Sequence, residues 1–238
     1  MARIRLRYCT LRFIDGYNAL AAVDGTPGDG VSTMGITFDG GEIPIGTRFE
    51  IEGVNEIYTI TGVTGDPNTT EITFTPPLDE DGAGLPAHEA AITIQGRALE
   101  VKVGDGNISY DTERQLEYEL DRGKIDAVVE GDDTPVSVNL DLVYEFLTAA
   151  TGANIPTPMD VLKQRGEAAD WLSAGDDPCE PYCVAIEVDY EPPCDVYHEI
   201  TPLPEFRAES ISHDLQNATI AVRGQCKVKD IVPYRRAY

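Results

Sequence analysis

The chain has 238 residues, with 42 acidic against 18 basic side chains and a net charge of −24. A body of this size buries roughly 70% of the surface its unfolded chain exposes, and a 42% hydrophobic content supplies the material for a core. No run approaches the ~18 consecutive apolar residues of a membrane span, and the carboxylate excess repels nucleic-acid phosphates, which argues against a protein that grips DNA.

The charge is uneven. Residues 1–12 and residues 223–238 are each +4, so the stretch between them holds −32. The first fifteen residues, MARIRLRYCTLRFID, lack an apolar signal core, so folding in a cytosol is the expectation.

Residues 3–15 open as a strand, with Ile4, Leu6 and Tyr8 on one face and Arg3, Arg5 and Arg7 on the other. Such a basic face either defends a sheet edge or mates with an acidic neighbour. From residue 19 to 95 the style changes. Short β-branched runs at Gly35–Phe38, Arg48–Ile51, Ile57–Val63, Glu71–Thr75 and Ala91–Gln95 alternate with Gly-, Pro- and Asp-rich turns. Strands this short and evenly spaced predict a small inserted barrel or sandwich.

Longer strands follow in residues 97–147. A Gly104-Asp105-Gly106-Asn107 turn between ALEVKV and ISYDTERQLEYEL predicts a hairpin arm. In Val136–Leu147 the apolar residues Val136, Val138, Leu140, Leu142 and Tyr144 recur at period two, the mark of a half-buried strand. A helix of about two turns is expected next: Thr157 suits its N-cap, Pro158 its first position, Asp160 its N3 position, and Gly166 its end. Val184–Tyr190, Glu205–His213 and Ala218–Val232 read as strands. The fold class is therefore all-β with one short helix.

The motifs that carry chemistry are weak. Cys179, Cys183, Cys194 and Cys226 crowd the last quarter, and zinc, disulfides and plain buried thiols are three open readings of them. His88-Glu89 and His198-Glu199 lack the second histidine of a zincin. The loop at Asp79–Gly84 lacks the third ligand and the bidentate glutamate of a calcium hand. No spacing recommends a catalytic triad. Trp171, the only tryptophan, is expected to anchor the helix against the sheet.

One resemblance emerges from Ala98–Leu147. The turn Gly104–Asn107, the segment Glu117–Gly123, Asp126, the run Glu130-Gly131-Asp132 and the alternating strand after it occur in an order that resembles phage major tail proteins. These are the tail tube subunits of long-tailed bacteriophages, and Leu203–Val228 is similar to their last two strands. The resemblance implies an antiparallel β-sandwich that forms hexameric rings stacked into a hollow tube, with a hairpin arm reaching the next ring. Residues 1–18 and 96–238 would form that domain, and residues 19–95 would sit as the inserted module on the tube exterior. The candidates for contact between subunits are Arg3, Arg5, Arg7, Asp105, Asn107, Arg122 and Asp126.

Neither catalytic residues nor a cofactor are expected. The implied partners are further copies of the chain, a tail terminator and distal tail proteins, and the genome would pass through the lumen without specific binding. The implied place is the tail of a virion made in a bacterial cytoplasm. A tail terminator, the inner tube of a contractile tail and a surface-binding β module are the alternatives.

Overall fold

The computed structural model describes residues 9–38, 42–54, 56–66, 69–78, 84–102, 106–121, 124–143, 156–190, 197–214, 216 and 219–237. The described chain is mostly strand, with a single short α-helix, and it divides into two compact units. Unit 1 holds Met1–Phe13, Leu99–Asp170 and Ala174–Tyr238, and unit 2 holds Ile14–Ala98 with Trp171–Ser173.

Unit 2 is built on β2 (Ala19–Asp24), β3 (Thr33–Thr37), β4 (Thr47–Ile51), β5 (Ile57–Asp66), β6 (Thr69–Thr75) and β7 (Ala91–Lys102), the last of which crosses into unit 1 after Ala98. Every pairing is antiparallel, in the order β2-β3-β6-β5-β4-β7, and β7 pairs back with β2. Six strands thus close on themselves as a barrel, which leaves none of them as an edge.

Alternation decides what fills the barrel. Met34 and Ile36, Phe49 and Ile51, Tyr58 and Ile60, Ile72 and Phe74, and Ile92 and Ile94 all point inward and are buried. Phe49 stacks on Tyr58 at 5.2 Å, and Phe74 meets both rings edge-on, the offset geometry that the ring quadrupole favours.

At the margin of this unit, the buried Asp15 carboxylate accepts from the Arg97 amide (2.9 Å), Arg97 Nε (2.8 Å) and the Tyr17 amide (3.2 Å). Burial pushes its pKa up, against the pull of Arg97. Gly96 is required here, because a Cβ would overlap the Asp15 carbonyl and carboxylate oxygens. Trp171 lies with this unit. Its ring receives the Arg97 guanidinium at 5.6 Å.

Unit 1 carries a sheet in the order β1 (Cys9–Ile14), β12 (Val184–Tyr190), β13 (Tyr197–Asp214), β14 (Thr219–Cys226), β11 (Val136–Val143) and β8 (Asn107–Asp111), antiparallel from β12 onward. A short β15 (Tyr234–Ala237) pairs with β13. A separate hairpin joins β9 (Arg114–Asp121) to β10 (Lys124–Asp133). Val136, Val138, Leu140 and Leu142 are buried as their alternation requires, together with Ile220, Val222 and Phe206. Gly224 is obligatory beside Phe206, since a Cβ there would strike the Phe206 ring and the Arg207 carbonyl.

The helix α1 (Pro158–Lys163) starts as its sequence dictates. Thr157 Oγ1 accepts from the Asp160 amide (3.2 Å), and the Asp160 carboxylate accepts from the Thr157 amide (3.1 Å), a capping box. It ends earlier than Gly166 suggests. Gln164 takes the left-handed conformation, with φ of 47°, and the Arg165 amide donates back to the Asp160 carbonyl. Val161 and Leu162 are the buried face.

Three other boundaries differ from the sequence reading. β8 does not fold back from the Gly104–Asn107 turn as one arm of a hairpin. It pairs with β11 instead, because Ile108 stands opposite Leu140 and shares its inward face. The hairpin belongs to the next two strands, β9 and β10. β13 begins at Tyr197 rather than Glu205, and β14 stops at Cys226, with β15 following separately from Tyr234.

Candidate assembly surface

The hairpin is two-faced. Along β9 the sequence alternates Leu116, Tyr118 and Leu120 with Gln115, Glu117, Glu119 and Asp121. The register sets Val128 opposite Tyr118 and Glu130 opposite Leu116, and residues directly opposite share a face. One face is therefore mostly apolar, with Glu130 at its end, and the other is acidic along β9 and carries Val129 on β10. Every described side chain of β9 is exposed. Leu116 is 47% exposed, Tyr118 57%, Leu120 65% and Val128 53%. A two-stranded ribbon alone is marginal in water, so such a face calls for a cover that the described chain does not supply.

Polar contacts hold the hairpin base. Thr134 Oγ1 donates to the Glu113 carbonyl (2.7 Å), and Lys229 Nζ reaches Asp133 at 3.3 Å. A small cleft at this base is lined by Glu113, Glu130, Asp132 and Asp230 beside those two cations' carriers, Arg114 and Lys229.

A second surface lies on the four strands β8-β11-β14-β13. Their registers line up Asp111, Ser137, Gln225 and Arg207 in one row, and Ser109, Asn139, Arg223 and Ser210 in the next. Asn107, Asp141, Ala221 and Ser212 form a third. The opposite face of β11 and β14 is the apolar core, and these three rows are polar, with no large apolar side chain in them. β8 pairs with β11 on one side only among the described pairings, which leaves a short strand edge there.

A part-buried polar constellation in unit 1 holds strands together. Arg12 donates from Nε to Glu100 (2.9 Å) and from Nη1 to Asp189 (2.8 Å), and Asp189 lies 3.0 Å from His198 Nδ1. It joins β1, β7, β12 and β13 through residues up to 177 positions apart. Cys9 stands near Asp189, but burial, and then that carboxylate, push its thiol up to about 11. A nucleophilic cysteine needs the opposite shift. Nothing in the sequence pointed to this cluster, whose members carry no common motif.

Of the cysteines read as zinc ligands, disulfide partners or buried thiols, Cys179 is exposed, and Cys183 and Cys226 are buried. Among the described residues none of the three is in a disulfide, and Cys194 lies outside the described residues. Burial, then Cys183 and Glu205, push the Cys226 thiol up to about 12. Among the described residues no three His, Cys, Asp or Glu side chains gather as a metal site. The loop before β12 is tied down by ions instead, with Glu180 held between Arg207 and Lys227.

Of the seven residues proposed for contact between subunits, two lie among the described ones. Arg3, Arg5, Arg7, Asp105 and Arg122 lie outside the described residues. Asn107 opens β8, exposed and opposite Asp141. Asp126 falls in β10 at the register shift between Ile125 and Ala127. The apolar stripe of the hairpin was missed as a site, although its signal, Leu-x-Tyr-x-Leu inside an acidic run, is plain in the sequence. No helix among the described residues is long and apolar enough to cross a membrane. The chain matches no protein-family profile, no curated protein and no solved structure.

Proposed function

We propose that this chain is a non-enzymatic structural subunit of a long-tailed phage virion, polymerising as stacked hexameric rings into the tail tube. The observation that carries this reading is the hairpin β9–β10, which exposes Leu116, Tyr118, Leu120 and Val128 on one face while the β9 residues of its other face are mostly acidic. A chain that works alone would bury such a stripe or break it with charge. A chain that polymerises needs it open, and a further copy is the cover the resemblance suggests.

Two other features support the reading. The polar face of β8-β11-β14-β13 sets Asp111 and Asp141 against Arg223 and Arg207, the latter already held by Glu180, so it offers little net charge for the phosphates of a passing polyanion to grip. The +4 ends and the −32 middle give copies complementary charges, which set register more than affinity. The partners would be further copies of the chain, a tail terminator and distal tail proteins.

Electron microscopy and sedimentation of the purified chain at high concentration test this. Rings or tubes are expected from the wild type, and unassembled chains from the Tyr118→Asp and Leu120→Asp double variant, both with the same thermal melt. A wild type that stays single under all conditions, or a variant that assembles equally well, overturns the proposal.

A further inference from the structure

The proposed assembly needs a surface that receives the hairpin, and few places on the chain qualify. Among the described residues, the large apolar side chains that unit 1 exposes outside the hairpin are Tyr110, Val232 and Tyr234. Val232 is 71% exposed and Tyr234 47%, and only Pro233, itself exposed, stands between them. They lie where the chain leaves the buried Ile231 and enters β15, the short strand paired with the start of β13.

Charge separates this patch from the other exposed apolar side chains. Residues 113–133, which span the hairpin, hold eight acids and three bases, a net −5. Residues 227–236 hold four bases and one acid, a net +3. Lys227, Lys229 and Arg235 are exposed, and their pairs with Glu180, Asp133 and Glu199 are surface pairs, which exchange partners at little cost. In unit 2 the exposed Leu20, Ile45 and Leu85 have no such setting, because its two bases are the buried Arg48 and Arg97, which Asp15 holds. Tyr110 is followed by Asp111.

We infer that the hairpin of one copy is received by residues 232–235 of a second copy, with Tyr118 and Val128 packed on Val232 and Tyr234 and with basic side chains at the rim of that segment steering the acidic hairpin. The inference rests on the proposed assembly in taking a further copy as the cover. Donor and acceptor are different surfaces, so the contact runs head to tail and can repeat into a ring or a stack. Two hairpins packed face to face would instead close a dimer and bring like charges together. The chain's own segment is not the receiver: Lys229 pairs with Asp133 at the hairpin base, while every described side chain of β9 stays exposed.

Cross-linking between copies tests this. In a background with Cys179→Ser and Cys194→Ser, Val128→Cys is placed in one chain and Val232→Cys in another, and one of the two carries an affinity tag so that mixed dimers separate on a gel. Each change keeps a small apolar side chain at a site that is 53% or 71% exposed, so fold and assembly should survive. Mixed at a concentration where the wild type assembles and treated with a short bismaleimide, the two chains are expected to cross-link about fivefold or more above either chain alone, because contact raises the effective concentration of the paired thiols.

A second arm uses Val232→Asp, which is expected to raise the concentration needed for assembly about tenfold or more, as loss of a central apolar contact does, with the thermal melt unchanged. Rings that form without the mixed cross-link, or that form equally well from Val232→Asp, overturn this acceptor and leave the tail tube reading standing. Mixed cross-links in open chains that never close into rings support the contact and overturn the tube. A wild type that stays single under all conditions overturns both.

Discussion

Unit 2 finishes its own business and unit 1 does not. In unit 2 six strands close a hydrogen-bond circuit around an aromatic core of Phe49, Tyr58 and Phe74, and both arginines are internal. In unit 1 a hairpin shows an apolar stripe to solvent, β8 leaves an edge, and cations and acids are interspersed. The difference teaches where association is to be sought. A surface with unmet pairing and burial needs invites a partner, and a barrel whose strand edges are paired gives a partner fewer openings.

The comparison breaks most sharply at two glycines. Gly224→Ala would force a Cβ into the Arg207 carbonyl and the Phe206 ring, and Gly96→Ala one into Asp15. Each obstacle includes backbone, so it cannot swing aside, and each change is expected to cost more than about 3 kcal/mol. Trp171, the only tryptophan, lies in unit 2. Urea melts followed by its fluorescence should shift for Gly96→Ala and stay for Gly224→Ala, with the reverse in circular dichroism of the remaining strands. Coincident shifts for both variants would show that the units unfold as one.

A comparable effect sharpens the view of unit 2. Arg97→Met leaves Asp15 buried without its cation, which is expected to cost ~3–5 kcal/mol. The double change with Asp15→Asn should recover part of the loss, because the stranded charge goes with it. A double variant no more stable than Arg97→Met alone would show that the pair is not what holds this corner.

The mildest test concerns the thiols of unit 1. With Cys9 pushed up to about 11 and Cys226 to about 12 by burial, alkylation of the native chain from pH 7 to 9 should label Cys179 and spare both. The sign follows from linkage: a folded-state pKa above the unfolded one keeps the proton on in the fold, so this contribution to stability is complete below the unfolded pKa of about 8.5 and declines as pH rises past it. Peptide mapping that finds Cys9 or Cys226 alkylated as fast as Cys179 would contradict their burial.

The sequence was most legible where a local rule operates. Thr157, Pro158 and Asp160 specify the start of α1 because a capping box needs only four consecutive residues. The apolar alternation of β11 fixes which of its faces is buried for the same reason. It was least legible in β13, where Pro202 and Pro204 argue against a strand. The strand runs through them all the same, with Pro202 facing Glu187 and a positive φ of 45° at Glu205. The strand β2, ALAAVD, was also missed, because its alanines carry little β-pattern.

By itself, then, the sequence determined the β class, the helix cap, the charge layout and the alternation that decides inside from outside, since each is written in neighbouring residues. Only the tertiary structure decided that β2 meets β7, that β8 joins β11, and that Arg12, Glu100, Asp189 and His198 share one polar cluster. Those choices pair groups far apart in the chain. They are settled by which complete set of strands buries the most apolar surface with its hydrogen bonds made, a sum no local window contains.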